Sequence, residues 1–189
     1  MNKYYRSFDD VSIHEKDISD IKSIMNSHRE DQVLDYHGYL DIKKTLRTEL
    51  AHNLREFGKK IGLKLVGIYA FTAHSGAITS IHVDGDNEKG YLPWRLSYYV
   101  GGEPGILSWH GTESLGNFSD HVKAYVFDQN LPIVYEKKMD MPAAFVRTNI
   151  PHRLDISKNT IDRLTITATF SPWISWEELN SRLDKLNED

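Results

Sequence analysis

The chain reads as a mainly β protein with flanking helices, its core a jelly roll of two packed antiparallel sheets. Three observations predict this class. Between residues 63 and 171 about eight short stretches rich in β-branched and aromatic residues follow one another, punctuated by Gly, Pro and Asn. Many short strands in close succession suit a sandwich or barrel better than alternating βα units. On either side of this run lie apolar stripes at helical spacing.

The elements follow in order. A short helix is expected over Asp17–Ser27, with Ile18, Ile21 and Met25 inward. A longer one starts at Asp41, where Ile42, Leu46, Leu50, Leu54 and Phe57 form one stripe and Gly58 and Gly62 act as stop signals. Strands are expected at Leu63–Phe71, Thr79–Val83, Trp94–Val100, Ile106–Trp109, Ile133–Glu136, Ala143–Thr148, His152–Asp155 and Leu164–Phe170, with Val122–Phe127 as a weaker extra. A closing helix spans residues 175–186. Its first residues, Ser175-Trp176-Glu177-Glu178, have the form of a capping box, and Trp176, Leu179, Leu183 and Leu186 supply its apolar face. The length predicts a single domain over 1–189: a helical support (1–62), a jelly-roll core (63–173) and a C-terminal helix (174–189).

Composition narrows the function. With no cysteine, disulfides, thiolate metal sites and cysteine nucleophiles are excluded together. A formal net charge of −4 argues against a large nucleic-acid footprint, which needs clustered cations. The one basic cluster, Arg55, Lys59, Lys60 and Lys64, lies at a helix C-terminus, where the dipole favours cations. There is no long apolar run and no secretory leader in MNKYYRSFDD, so a cytoplasmic location is expected, without membrane partners.

Two His-x-Asp/Glu pairs occur, His28-Arg29-Glu30 and His82-Val83-Asp84, where chance alone yields about one with nine histidines and 27 acidic residues. Their settings differ. The first lies in the polar run SHREDQ, a solvated surface. The second ends a β-rich stretch, so both side chains point to one side of an extended chain and can reach one metal. A further ligand must come from downstream, where His110, His121 and His152 are available. The last strand reads RLTITATF from Arg163 to Phe170. Arg163, Thr165, Thr167 and Thr169 share one face, and Leu164, Ile166, Ala168 and Phe170 the other. An arginine on an inward face is costly, by roughly several kcal/mol if unpaired. It needs a carboxylate, either the protein's own or that of a bound acid, unless the strand turns that face to solvent.

Taken together, His82-Val83-Asp84, His152 and Arg163-Leu164-Thr165 resemble the Fe(II)/2-oxoglutarate-dependent oxygenase superfamily, over roughly residues 66–173. The resemblance includes the order WRLSYYV, a Gly-Gly turn, ILSW, AAFVRTNIPHRLD and DRLTITATF. It points to no one subfamily. In that family the distal histidine precedes the cosubstrate arginine by ten or so residues, which selects His152 over His110 and His121. The resemblance implies a double-stranded β-helix, a cupin-like jelly roll. It further implies Fe(II) on His82, Asp84 and His152, with 2-oxoglutarate as cosubstrate held by Arg163 and Thr165, and O2 as oxidant. Two imidazoles and a carboxylate cover one face of the iron and leave positions open. Because Asp84 is present, hydroxylation or a related oxidation is expected rather than halogenation. The expected substrate is a small molecule of amino-acid type or a peptide side chain, with no nucleic acid.

Two other classes fit the same barrel. One is a cupin-like metalloprotein, an isomerase or another dioxygenase, that does without 2-oxoglutarate; such proteins usually carry a His-x-His pair, which this chain lacks. The other is a non-catalytic jelly-roll binding module. Several residues stay open from sequence: the aromatics Tyr69, Trp94, Tyr98 and Trp109 as funnel or core, Arg95, Arg147 and Arg153 as substrate contacts or ion pairs, and residues 111–120 as lid or inert loop.

Overall fold

A computed structural model describes residues 2–26, 45, 47–86, 90–100, 102–120, 124–186 and 188. Among these residues twelve strands form two sheets, and three helices flank one of them: α1 (Glu15–Asn26), α2 (Glu49–Lys60) and α3 (Trp176–Leu186). The five-stranded sheet has the order β1 (Tyr5–Ser7), β10 (Ala143–Arg147), β5 (Trp94–Val100), β12 (Arg163–Ser171), β2 (Lys64–Ala73). The seven-stranded sheet runs β7 (Asn117–Ser119), β8 (Ala124–Val126), β3 (His82–Asp86), β11 (His152–Asp155), β6 (Ile106–His110), β9 (Ile133–Lys138), with β4 (Gly90–Tyr91) paired to β3. The chain crosses between the sheets several times, at β2–β3, β4–β5, β5–β6 and from β9 through β12, and every strand pairing is antiparallel, so this is a jelly-roll-like sandwich.

Alternation along β12 and β5 explains where the core sits. Leu164, Ile166, Ala168 and Phe170, with Trp94, Leu96, Tyr98 and Val100, face the helices. There they meet Leu50, Leu54 and Phe57 of α2 and Trp176, Leu179 and Leu183 of α3. Each such side chain contributes about 1.5–3 kcal/mol on burial. The opposite face of the same strands looks at the other sheet. Across it Leu107 and Trp109 pack on Ala144 and Val146, with Tyr99 and Leu154 at the edge of that contact. Trp94 and Tyr98 are therefore helix-side core, whereas Trp109 is buried between the sheets.

Trp94–Val100 and His152–Asp155 match their expected bounds, and the remaining expected strands shift by one to three residues, Val122 and Lys123 of the weaker extra strand lying outside the described residues. Three short strands, β1, β4 and β7, carry no alternation long enough to detect; β7 lies inside the polar stretch 111–120. The described helix that carries Leu50, Leu54 and Phe57 is shorter than the expected one, and Asp41 lies outside the described residues. This helix starts at Glu49, because Thr48 is extended (φ −71°, ψ 160°) and its hydroxyl accepts from Ala51 N. Ile42 and Leu46 lie outside the described residues, as do His28, Glu30 and His121. In α3 the Ser175 hydroxyl accepts from Glu178 N, while the Glu178 carboxylate pairs with Arg182 at 2.6 Å, so half of the capping box is formed.

Asp17, in the first turn of α1, is 2% exposed and its carboxylate accepts from Leu50 N at 2.8 Å and from His14 N at 3.2 Å. One side chain thus caps its own helix and the N-terminus of α2, where the dipole favours an anion. Replacing it orphans the buried Leu50 amide, so Asp17→Ala is expected to cost about 1–3 kcal/mol in urea unfolding while leaving metal binding unchanged.

Candidate metal centre

Along β3 and the residue before it, the alternation buries Ile81 and Val83 on the outer side with Phe127 and turns His82 and Asp84 inward. On β11, His152 sits directly opposite His82 in register. One nitrogen from each ring and one oxygen of Asp84 all lie within 4.8 Å of one another. The His82 Nε2 to Asp84 Oδ1 distance is 3.7 Å, and the two imidazole centroids are 4.6 Å apart.

The ring orientations are fixed in the same way. His82 Nδ1 is 2.8 Å from Ser80 O, and His152 Nδ1 is 2.9 Å from Ile150 O. A carbonyl can only accept, so in each ring Nδ1 carries the proton and Nε2 keeps its lone pair for a metal. His152 is 6% exposed, and burial, reinforced by neighbouring His82 and opposed by Asp84, pushes its pKa down to about 4. At neutral pH it is an uncharged ligand. Two imidazoles, each with Nε2 free, and a carboxylate are a donor set suited to a divalent metal ion with open positions.

His110 is placed elsewhere. Its ring is buried and bonded to the Ser108 hydroxyl (3.0 Å) and Leu131 O (2.9 Å), so it is a satisfied structural histidine.

Arg163 is 1% exposed and begins β12 on the face turned to the other sheet. Neither Nη1 nor Nη2 has a hydrogen-bond partner among the described residues. Its guanidinium carbon lies 4.4 Å from the ring centroid of Tyr99, and burial lowers its pKa. A native carboxylate partner and a solvent-facing strand, both open from sequence, are thus ruled out for its Nη atoms among the described residues. Two residues along, Thr165 is half-buried between Phe71 of β2 and Tyr99 of β5. The Thr167 hydroxyl, on the same face, is buried and unpaired as well.

Two glycines shape this end. Gly102, at φ +78°, brings its Cα so close to the Arg163 backbone that a β-carbon would meet Asp162 O at 2.7 Å. A β-carbon at Gly105 would lie 2.7 Å from Arg163 Nη1 and 2.8 Å from Leu154 Cδ1. Leu154 is two residues along β11 from His152, a step of roughly 6–7 Å. The unpaired guanidinium therefore sits about one side-chain row from the metal trio.

One residue of the site, Tyr99, goes unmarked in the sequence, and another, Arg95, stays open there between substrate contact and ion pair. Tyr99, whose hydroxyl pKa is raised by burial, stacks under Arg163. Arg95 Nε approaches Asp84 Oδ2 to 3.0 Å. The other two arginines point away from the trio: Arg147 bonds Asn149 and Glu177, and Arg153 follows His152 on the opposite face of β11.

No protein-family profile and no curated protein matches this sequence. Solved structures do match. AviO1 from Streptomyces viridochromogenes Tue57 is 13% identical with a TM-score of 0.52, the alignment covering 91% of each chain. HygX from Streptomyces hygroscopicus, solved with nickel and 2-oxoglutarate bound, is 10% identical with a TM-score of 0.51, covering 89% of this chain and 82% of that one. The chain has their fold. A looser match, to E. coli ycfD, has a TM-score of 0.42 at 12% identity and spans 31% of that chain and 70% of this one. On this jelly roll, the described residues hold one His/Asp/His cluster of metal-ligand geometry, His82, Asp84 and His152. No helix among the described residues is long and apolar enough to cross a membrane.

Proposed function

We propose that the chain is an Fe(II)- and 2-oxoglutarate-dependent dioxygenase that hydroxylates a C–H bond of a small molecule of amino-acid type or of a peptide side chain. The observation that carries this is the buried Arg163 guanidinium with both Nη atoms unpaired, on the sheet face that looks at the metal-ligating trio. An unpaired buried cation is costly, and a dicarboxylate removes the cost because a planar fork pairs bidentately with a carboxylate.

The residues present fit both groups. His82, Asp84 and His152 would hold Fe(II); Arg163, with Thr165, would hold the far carboxylate of 2-oxoglutarate. When bound, iron with cosubstrate and O2 supplies an oxidant able to cleave a C–H bond, 2-oxoglutarate leaving as succinate and CO2. The chain itself does the rest. The two Nδ1–H bonds hold the imidazoles in one tautomer and orientation. Arg163 sets the direction of the cosubstrate, and Phe71 and Tyr99 flank Thr165 and keep water from its side.

A succinate-formation assay on free amino acids, peptides and nucleosides tests the proposal. Turnover that requires both Fe(II) and 2-oxoglutarate is expected. Metal-dependent turnover without 2-oxoglutarate would indicate the cupin-like alternative, and binding of neither would indicate a non-catalytic module.

A further inference from the structure

The interior holds a second guanidinium. Arg95 shares the inner face of β5 with Tyr99, and its side chain keeps 21% of its surface. Its Nε is buried, 3.0 Å from Asp84 Oδ2, yet makes no hydrogen bond among the described residues. The contact is an ionic one with poor N–H alignment. The guanidinium carbon also lies 5.9 Å from the Phe71 ring centroid. Neither η nitrogen is bonded to a described residue or buried without a partner, so the η end is the side of the group that solvent reaches. An arginine offers five N–H donors. Here one charge contact to Asp84 is made and the donors remain unspent.

Charge accounting points the same way. Beside the trio, the described side chains carry two guanidiniums, Arg95 and Arg163, against one carboxylate, Asp84. A divalent metal and a doubly charged cosubstrate cancel each other, leaving one positive charge in a partly desolvated cavity. The far wall does not offset it: on β8, Ala124 pairs with Asp84 and Val126 with His82, and beyond them on β7 come Ser119 and Asn117, all uncharged. Asp84 already gives its charge to the metal, so its hold on Arg95 weakens once the metal binds.

We propose that Arg95 is the anion-recognition residue for the primary substrate. The substrate would carry a carboxylate or phosphoryl group, received by the η face of Arg95 next to the metal. This deepens the oxygenase proposal and rests on it. Arg95 also positions Asp84 through Nε, and the two roles separate experimentally.

The test uses full-length protein loaded with Ni(II) and saturating 2-oxoglutarate, so that Arg163 is occupied. Acetate and inorganic phosphate are titrated in separate arms at constant ionic strength, with binding followed by calorimetry. Wild type should bind at least one of them. Arg95→Gln should weaken that binding roughly tenfold or more, and Arg95→Lys should recover part, since an ammonium keeps the charge but not the fork. The arm that responds tells carboxylate from phosphoryl. Anion binding unchanged in Arg95→Gln, with Ni(II) binding weakened, would overturn the proposal and leave Arg95 as a support for Asp84 only. No anion binding to wild type up to tens of millimolar would overturn it too. If 2-oxoglutarate affinity itself collapses in Arg95→Gln, Arg95 belongs to the cosubstrate and the proposal is likewise overturned. Failure of wild type to bind Ni(II) or 2-oxoglutarate at all would instead sink the oxygenase proposal beneath it.

Discussion

His82→Ala, Asp84→Ala and His152→Ala should each abolish iron-dependent turnover and weaken metal binding by more than about a hundredfold. The reasoning starts from the geometry: three donors converge within 4.8 Å, and the site loses a third of its protein ligands with any one of them. Replacing residues that merely orient a ligand already costs about 10–100-fold in affinity, so removing the ligand itself must cost more. His110 supplies the contrast. Its ring bonds Ser108 and Leu131, so His110→Ala should lose about 1–3 kcal/mol of stability with metal affinity kept. Metal titration with a thermal melt on the same samples checks both halves. Normal metal affinity in His152→Ala would end the assignment.

Arg163→Ala should weaken 2-oxoglutarate binding by roughly thirtyfold or more, because losing one partner of a buried charge-assisted pair costs about 2–5 kcal/mol and each 1.4 kcal/mol is tenfold. Metal affinity should barely change, since Arg163 sits a side-chain row from the trio and makes no contact with it. Arg163→Lys should recover only part of the loss. Thr165→Val, which removes one neutral hydroxyl at nearly constant shape, should have a smaller effect.

What could be read from the chain follows from how local each signal is. β5 and β11 are legible to the residue because their alternation is complete within one strand. That His82 and Asp84 share a face, and that Arg163 shares one with Thr165 and Thr167, is legible for the same reason: a two-residue period groups side chains without knowledge of the partner strand. His152 is selected only through the family's spacing, and which face turns inward needs the packing. The start of α2 was hidden because Ile42, Leu46 and Leu50 continue the apolar period straight through Thr48, and the carboxylate that helps end it, Asp17, comes from 33 residues away. From the sequence Arg95 stays open between substrate contact and ion pair, and Tyr99 is not singled out at all. Contact of Arg95 with Asp84 bridges the two sheets, and the stacking of Tyr99 under Arg163 depends on the β5–β12 register. The capping box was half right because Arg182, one turn on, competes for Glu178.

The most direct measurement is calorimetric titration of 2-oxoglutarate into anaerobic, Fe(II)-loaded protein, wild type beside Arg163→Ala. The account predicts stoichiometric binding to wild type that depends on the metal, and an affinity lower by at least about thirtyfold in the variant. Equal affinity in the two proteins would contradict it, because the buried guanidinium would then be structural and the link between cosubstrate and metal site would be lost.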